Sequence, residues 1–194
     1  MKSGNQPKAP DITVTTKLLS FDLETNGLHG NAFAVGALVM DGRGKIHDEF
    51  TGRCRLTTKV DTWVKANVLP VIVDMPITHK NTHELREAFW QWYLRAKPES
   101  DYVLVKNGYP VEYRFLMQCQ EENLDERYWQ HPFPILDLFS LLLQVGKKPM
   151  GGKNDPVADI MREGKFLLHH PLHDAKVAAM AAFRAFELSG QIKK

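Results

Sequence analysis

Residues 33–40 (FAVGALVM) form an apolar run, and the glycine-rich Asp41-Gly42-Arg43-Gly44 follows at once. A short apolar run closed by such a turn reads as one arm of a β-hairpin, with residues 45–54 returning as the next strand. Upstream, residues 17–21 (KLLSF) make another short apolar run, suited to a buried strand, and Asn26-Gly27 marks a turn between the two. The chain therefore opens as three strands in an antiparallel meander.

The remainder alternates between helical and extended patterns. Residues 81–96 are expected to be a helix: Leu85, Phe89 and Trp92 share one face, Asn81 or Thr82 can cap the start, and Pro98 lies beyond the end. Residues 102–106 (YVLVK) read as a central strand, 112–122 as a helix, 133–136 as a short strand and 137–145 as a helix. Residues 172–188, rich in alanine, form a last helix ended by Ser189-Gly190. A short helix within 62–73 would end near Pro70, and the Gly-, Lys- and Pro-rich residues 146–156 read as a loop. A meander followed by alternating helices and strands gives an α/β architecture, a mixed sheet with parallel strands added and helices on both faces, the ribonuclease H-like arrangement.

A chain of 194 residues fits one domain, here residues 17–190 behind a flexible tail of residues 1–16. Residues 1–11 lack the apolar stretch of a signal peptide, and no apolar run nears the ~18 residues needed to span a membrane. Cys54 and Cys119 form no metal-type cluster and read as reduced, partly buried thiols, so a cytoplasmic location is expected. A net charge of +2 is unlike the broad basic surface of a long-footprint duplex binder, though it leaves room for a small basic rim.

Chemistry concentrates at two places. In Ser20-Phe21-Asp22-Leu23-Glu24-Thr25, strand alternation sets the Asp22 and Glu24 carboxylates on one face. Two like charges so close need a cation, and hard dications such as Mg²⁺ or Mn²⁺ favour oxygen donors. The acids also come at the end of an apolar strand, where open α/β sheets place their sites. At the other end, residues 169–175 read HHPLHDA. His169 and His173 are four apart, but no Glu follows His169, so the zinc-protease pattern fails. A polar surface loop is the plainer reading of His170 and His173.

These segments resemble the motifs of the DEDDh 3′→5′ exonucleases, a family that includes polymerase proofreading subunits, RNase T and oligoribonuclease. Phe21-Asp22-Leu23-Glu24-Thr25 is similar to the first motif. His169, Leu172, Asp174 and Ala175 match the last, a His five residues before an Asp, whereas His170 stands one residue too close. Residues 103–106, Asn107-Gly108, Glu112 and Phe115-Leu116 follow the middle motif, with Glu where the family has Asp. Glu is one methylene longer and still binds a dication, so a displaced ligand is expected. Asp137 resembles the family's structural Asp that caps a helix. The resemblance spans about residues 17 to 188.

The resemblance implies two Mg²⁺ or Mn²⁺ ions held by Asp22, Glu24, Glu112 and Asp174, with His169 as general base, a single-stranded DNA or RNA 3′ end as substrate and nucleoside 5′-monophosphates as product. It also implies that the backbone at Thr25 meets the terminal 3′-hydroxyl, that Leu28 wedges against the terminal base, and that Asn107 orients the strand end. Relatives of this size are often homodimers. His29 and Tyr109 are candidates for stacking on bases, and Lys147, Lys148 and Lys153 for holding phosphates. Two alternatives stay open: a weakened exonuclease-fold module that binds nucleic acid or a protein, and a zinc hydrolase using the histidine cluster.

Overall fold

The computed structural model describes residues 11–148 and 155–192. Its centre is a five-stranded sheet in the order β3-β2-β1-β4-β5. β1 (Lys17–Thr25), β2 (Ala32–Asp41) and β3 (Ile46–Arg53) pair antiparallel, as the apolar runs and turn signals predict. β4 (Tyr102–Val105) and β5 (Ile135–Asp137) continue the sheet in parallel. Gly27 takes a φ of +78° in the β1–β2 turn, a conformation that favours glycine.

Helices cover both faces. One face carries α1 (Thr62–Asn67), α2 (Thr82–Ala96) and α3 (Val111–Glu121), and the other carries α5 (Leu138–Gln144), α6 (Pro156–Gly164) and α7 (Pro171–Leu188). A single turn, α4 (Leu124–Arg127), follows α3. Strand alternation divides the core accordingly. Leu19, Phe21 and Leu23 of β1 pack with Leu85, Phe89 and Trp92 of α2, while Leu18 joins Val177, Ala178 and Ala181 of α7. Asn81 caps α2 by accepting from the Glu84 N–H at 2.9 Å, and Asp137 caps α5 by accepting from the Ser140 N–H at 2.8 Å.

Several boundaries depart from expectation. β5 begins two residues later than expected, at Ile135, and Phe133 is exposed. Helices α4 and α6 were not anticipated. For α6 the signal was present: Asp155 accepts from the Val157 N–H at 2.9 Å, Pro156 opens the helix, and Val157 and Ile160 bury one face. The glycine-rich stretch before it masks that pattern. Most of the expected tail lies outside the described residues, but Ile12 packs against the α7-side core and Thr16 is buried.

One contact governs where α7 begins. A Cβ on Gly36 of β2 would lie 2.1 Å from the Leu172 nitrogen and 2.4 Å from the Pro171 carbonyl carbon, so only glycine lets the helix start this close to the sheet. The Ser20 hydroxyl fastens the same turn from β1, donating to the Ala175 carbonyl at 2.8 Å in a buried setting. Both obstacles to a side chain at position 36 are backbone. Gly36→Ala is expected to lower stability by about 1–3 kcal/mol, the usual cost of overpacking; urea unfolding beside the wild type measures it.

Candidate active site

The central strand β1 delivers the first two acids. Asp22 stands opposite Gly36 and Glu24 opposite Ala34, on the face that α7 covers, and the pairing slips between Glu24 and Thr25, where the strand leaves the sheet. Asp22 and Glu24 are only 9% and 7% exposed. The first turn of α3 adds Glu112, also 7% exposed, and the first turn of α7 adds Asp174, at 2%. Both Asp174 oxygens are engaged. Oδ2 accepts from the His169 backbone N–H at 2.8 Å, and Oδ1 accepts from the Lys106 ammonium at 3.1 Å.

Four buried carboxylates around one lysine are short of positive charge. Burial, and then the Asp174 carboxylate, push Asp22 well above the usual carboxylate range; Glu24 and Glu112 add to this and Lys106 opposes it. Burial and Asp174 likewise push Glu24 up to about 8. Burial pushes Glu112 up to about 7, against its own backbone N–H and Lys106. Lys106 responds in kind: burial pulls its pKa down, but the Asp22 and Asp174 carboxylates more than offset this and hold it above the ordinary lysine value.

His169 sits beside this cluster with its Nδ1 3.9 Å from Glu24 Oε1. Its backbone takes a φ of +66°, uncommon for a residue with a side chain, and the N–H bond to Asp174 holds it there. The Trp63 ring meets the imidazole edge-on at a centroid distance of 5.0 Å. Trp63 is placed by α1, whose cap Asp61 is tied to the β1–β2 turn: the Asp61 N–H donates to Asn26 Oδ1 at 2.7 Å, and Asp61 Oδ1 accepts from the Trp63 N–H at 2.8 Å. Burial, with Lys106 nearby, lowers the His169 pKa below its ordinary value, although Asp174 pulls the other way.

The eight residues that the resemblance marks as catalytic, metal-holding or strand-end contacts, Asp22, Glu24, Thr25, Leu28, Asn107, Glu112, His169 and Asp174, line one cleft of about 730 Å³. Leu28 is 65% exposed at its wall, so it is not ordinary core. Tyr109 also lines the cleft, whereas His29 faces a different pocket. His170 and His173 stack on each other at 4.3 Å, and His173 Nδ1 accepts from the Leu167 N–H at 3.0 Å, an ordinary structural role. Asp137 also accepts from the Gly108 N–H at 3.3 Å and so braces the loop after β4. Lys147 and Lys148 are not among the cleft-lining residues, and Lys153 lies outside the described residues. Sequence spacing missed Lys106 and Trp63.

The donor set suits a hard dication. Glu24, His169 and Asp174 offer ligand atoms within 4.8 Å of one another, and the remaining carboxylates are electrostatically coupled to them. Among the described residues, no such group takes in a second histidine of the 169–173 cluster. Asp22 and Glu112 both stand outside that tightest set.

No protein-family model matches the chain, and no curated protein matches it in sequence. Solved structures do match its fold. Exonuclease X, in complex with 5′-overhanging duplex DNA, aligns over 91% of this chain and 93% of its own, at 16% identity and a TM-score of 0.53. The nuclease domain of 3′hExo, a DEDDh family member bound to rAMP, aligns over 89% and 92%, at 14% identity and a TM-score of 0.50. Exonuclease I of E. coli, in a zinc-bound complex with single-stranded DNA, aligns over 89% of this chain but 42% of its own, at 15% identity and a TM-score of 0.59. The fold is thus the one these exonucleases share, as the motif resemblance implied. No helix among the described residues is long and apolar enough to cross a membrane.

The raised carboxylates fix the sign of a pH effect. In metal-free protein Glu24 and Glu112 hold protons up to about pH 8 and 7, but release them near 4.5 when unfolded. Their contribution to stability is complete below the unfolded value and is lost as pH rises through the folded ones. His169, shifted down, works the opposite way only in the lower part of that window. The thermal midpoint in EDTA is therefore expected to fall from pH 5 to pH 8, and Mn²⁺ to raise it more at pH 8 than at pH 5. A midpoint independent of pH in EDTA would contradict this account of the cluster.

Proposed function

We propose that this chain is a divalent-metal-dependent 3′→5′ exonuclease of the DEDDh type, releasing nucleoside 5′-monophosphates from single-stranded nucleic acid. The observation that carries the reading is the convergence of Asp22, Glu24, Glu112, His169 and Asp174, from three separate segments, in one cleft of an exonuclease fold. The four carboxylates would hold the metal, with two ions as the proposed number. Bound there, such ions supply Lewis acidity toward a phosphate and lower the pKa of water.

The protein's own groups do the rest. With its pKa lowered, His169 is neutral at pH 7 and free to accept a proton from an attacking water. Its orientation is held by the Asp174 contact on the backbone side and by Trp63 on the ring side. The walls restrict what can enter. A cleft of about 730 Å³ has the size of a small-molecule pocket, suited to a strand end rather than a continuous duplex. Exposed Leu28 is placed to lie against a terminal base, while Thr25 and Asn107 offer polar contacts to the sugar and phosphate. The complex of the similar exonuclease I with single-stranded DNA supports this choice of substrate.

The test is time-resolved cleavage of 5′-labelled single-stranded DNA and RNA with Mg²⁺ or Mn²⁺. A ladder shortening from the 3′ end, absent in Asp22→Ala, is expected, and it chooses the sugar. Failure of folded, metal-loaded protein to cut either strand would instead favour the binding-module alternative. His169→Ala should lower kcat by about 10²–10⁴-fold while Mn²⁺ binding, followed by calorimetry, persists through the carboxylates. Unchanged turnover in that variant would remove His169 from the mechanism.

A further inference from the structure

Lys106 belongs to none of the motif positions, yet it sits inside the acid cluster. Leu104 of β4 pairs with Ser20 of β1 and faces the α7 side of the sheet; two residues further along stand Lys106, just past the end of β4, and Asp22 of β1. The Lys106 side chain is 22% exposed, and its ammonium is 3.1 Å from Asp174 Oδ1. Among the described residues, no other lysine or arginine lines the cleft.

Each Asp174 oxygen already accepts one hydrogen bond, so an ion binding there meets a donor at whichever oxygen it uses. Asp174 Oδ2 is held by the His169 backbone N–H, part of the main chain. Its Oδ1 is held by the end of a flexible four-carbon side chain, which can swing away. Charge balance points the same way. With all four buried carboxylates ionised, one dication plus the Lys106 ammonium leaves a single negative charge in excess. Two dications with Lys106 still in place overshoot to net positive, and an ammonium beside the ligand oxygen opposes the second ion directly.

We propose that Lys106 is a tethered cation occupying the place of one divalent ion, so that the cleft takes its first ion readily and its second only when Lys106 withdraws from Asp174. The inference rests on reading the cleft as a metal-dependent nuclease site. It makes the number of ions bound a property of this lysine: in the resting protein one ion predominates, and a second arrives in competition with Lys106.

Mn²⁺ binding without nucleic acid tests this, by titration calorimetry and electron paramagnetic resonance on wild type, Lys106→Met and Lys106→Gln, with circular dichroism to verify folding. The wild type is expected to bind one Mn²⁺ at least tenfold more tightly than the second. In the folded variants the second ion should tighten at least tenfold. They should also show the spectrum of two coupled Mn²⁺ ions at concentrations where the wild type shows an isolated one. Equal stoichiometry and affinities in wild type and both variants overturn the role of Lys106, and if the wild type still shortens strands from the 3′ end, the nuclease reading survives alone. Absence of Mn²⁺ binding in all three folded proteins overturns both.

Discussion

The first turn of α7 rests on bare backbone. Gly36 presents no side chain to it, and the Ser20 hydroxyl reaches across to the Ala175 carbonyl, so the helix start is fixed against β2 and β1 together. The α7 side of the cleft follows from this approach. Asp174, three residues into the helix, is carried over the end of β1, the strand that bears Asp22 and Glu24. His169, two residues before the helix, is drawn in by its N–H bond to the same Asp174. A wider helix–sheet gap would set Asp174 and His169 apart from Asp22 and Glu24.

Bringing them together is unfavourable for the chain alone. Buried like charges raise one another's proton affinity, and Asp22, Glu24 and Glu112 are all shifted upward while a single lysine offsets part of the excess. A site that costs stability in the absence of its ligand is the usual mark of function, since structural ion pairs come balanced. The contrast within this protein is plain. On the opposite flank Glu87 is paired with Arg127 and Glu122 with Arg86, and burial there is matched by opposite charge.

The other face of the sheet supplies rigidity. Phe21 packs on Phe89 at a centroid distance of 5.4 Å, and Phe89 in turn meets Trp92, Tyr93 and Phe115. That aromatic layer anchors β1 from behind and seats α3, whose first turn bears Glu112. Stability on one face thus supports a strained arrangement on the other, where strand ends and loops carry the polar work.

Much of this was legible in the residue order. The apolar runs and turns of residues 17–54 encode the meander, because strand pairing across short turns is local chemistry. The Asp22–Glu24 spacing places two acids on one strand face through short-range geometry alone, whereas the 169–174 spacing stands out only through its resemblance to a family motif. Glycine-rich residues hid the cap of α6, and nothing near position 36 in the sequence announces that a helix will lie on it. Lys106 and Trp63 were invisible for the same reason: the lysine meets Asp174, 68 residues away, and the tryptophan meets His169 across the fold. Spacing along a chain reports which side chains share a strand or a helix face. Only the packed structure decides which distant charges share a low-dielectric cleft, and therefore how strongly they hold protons or cations.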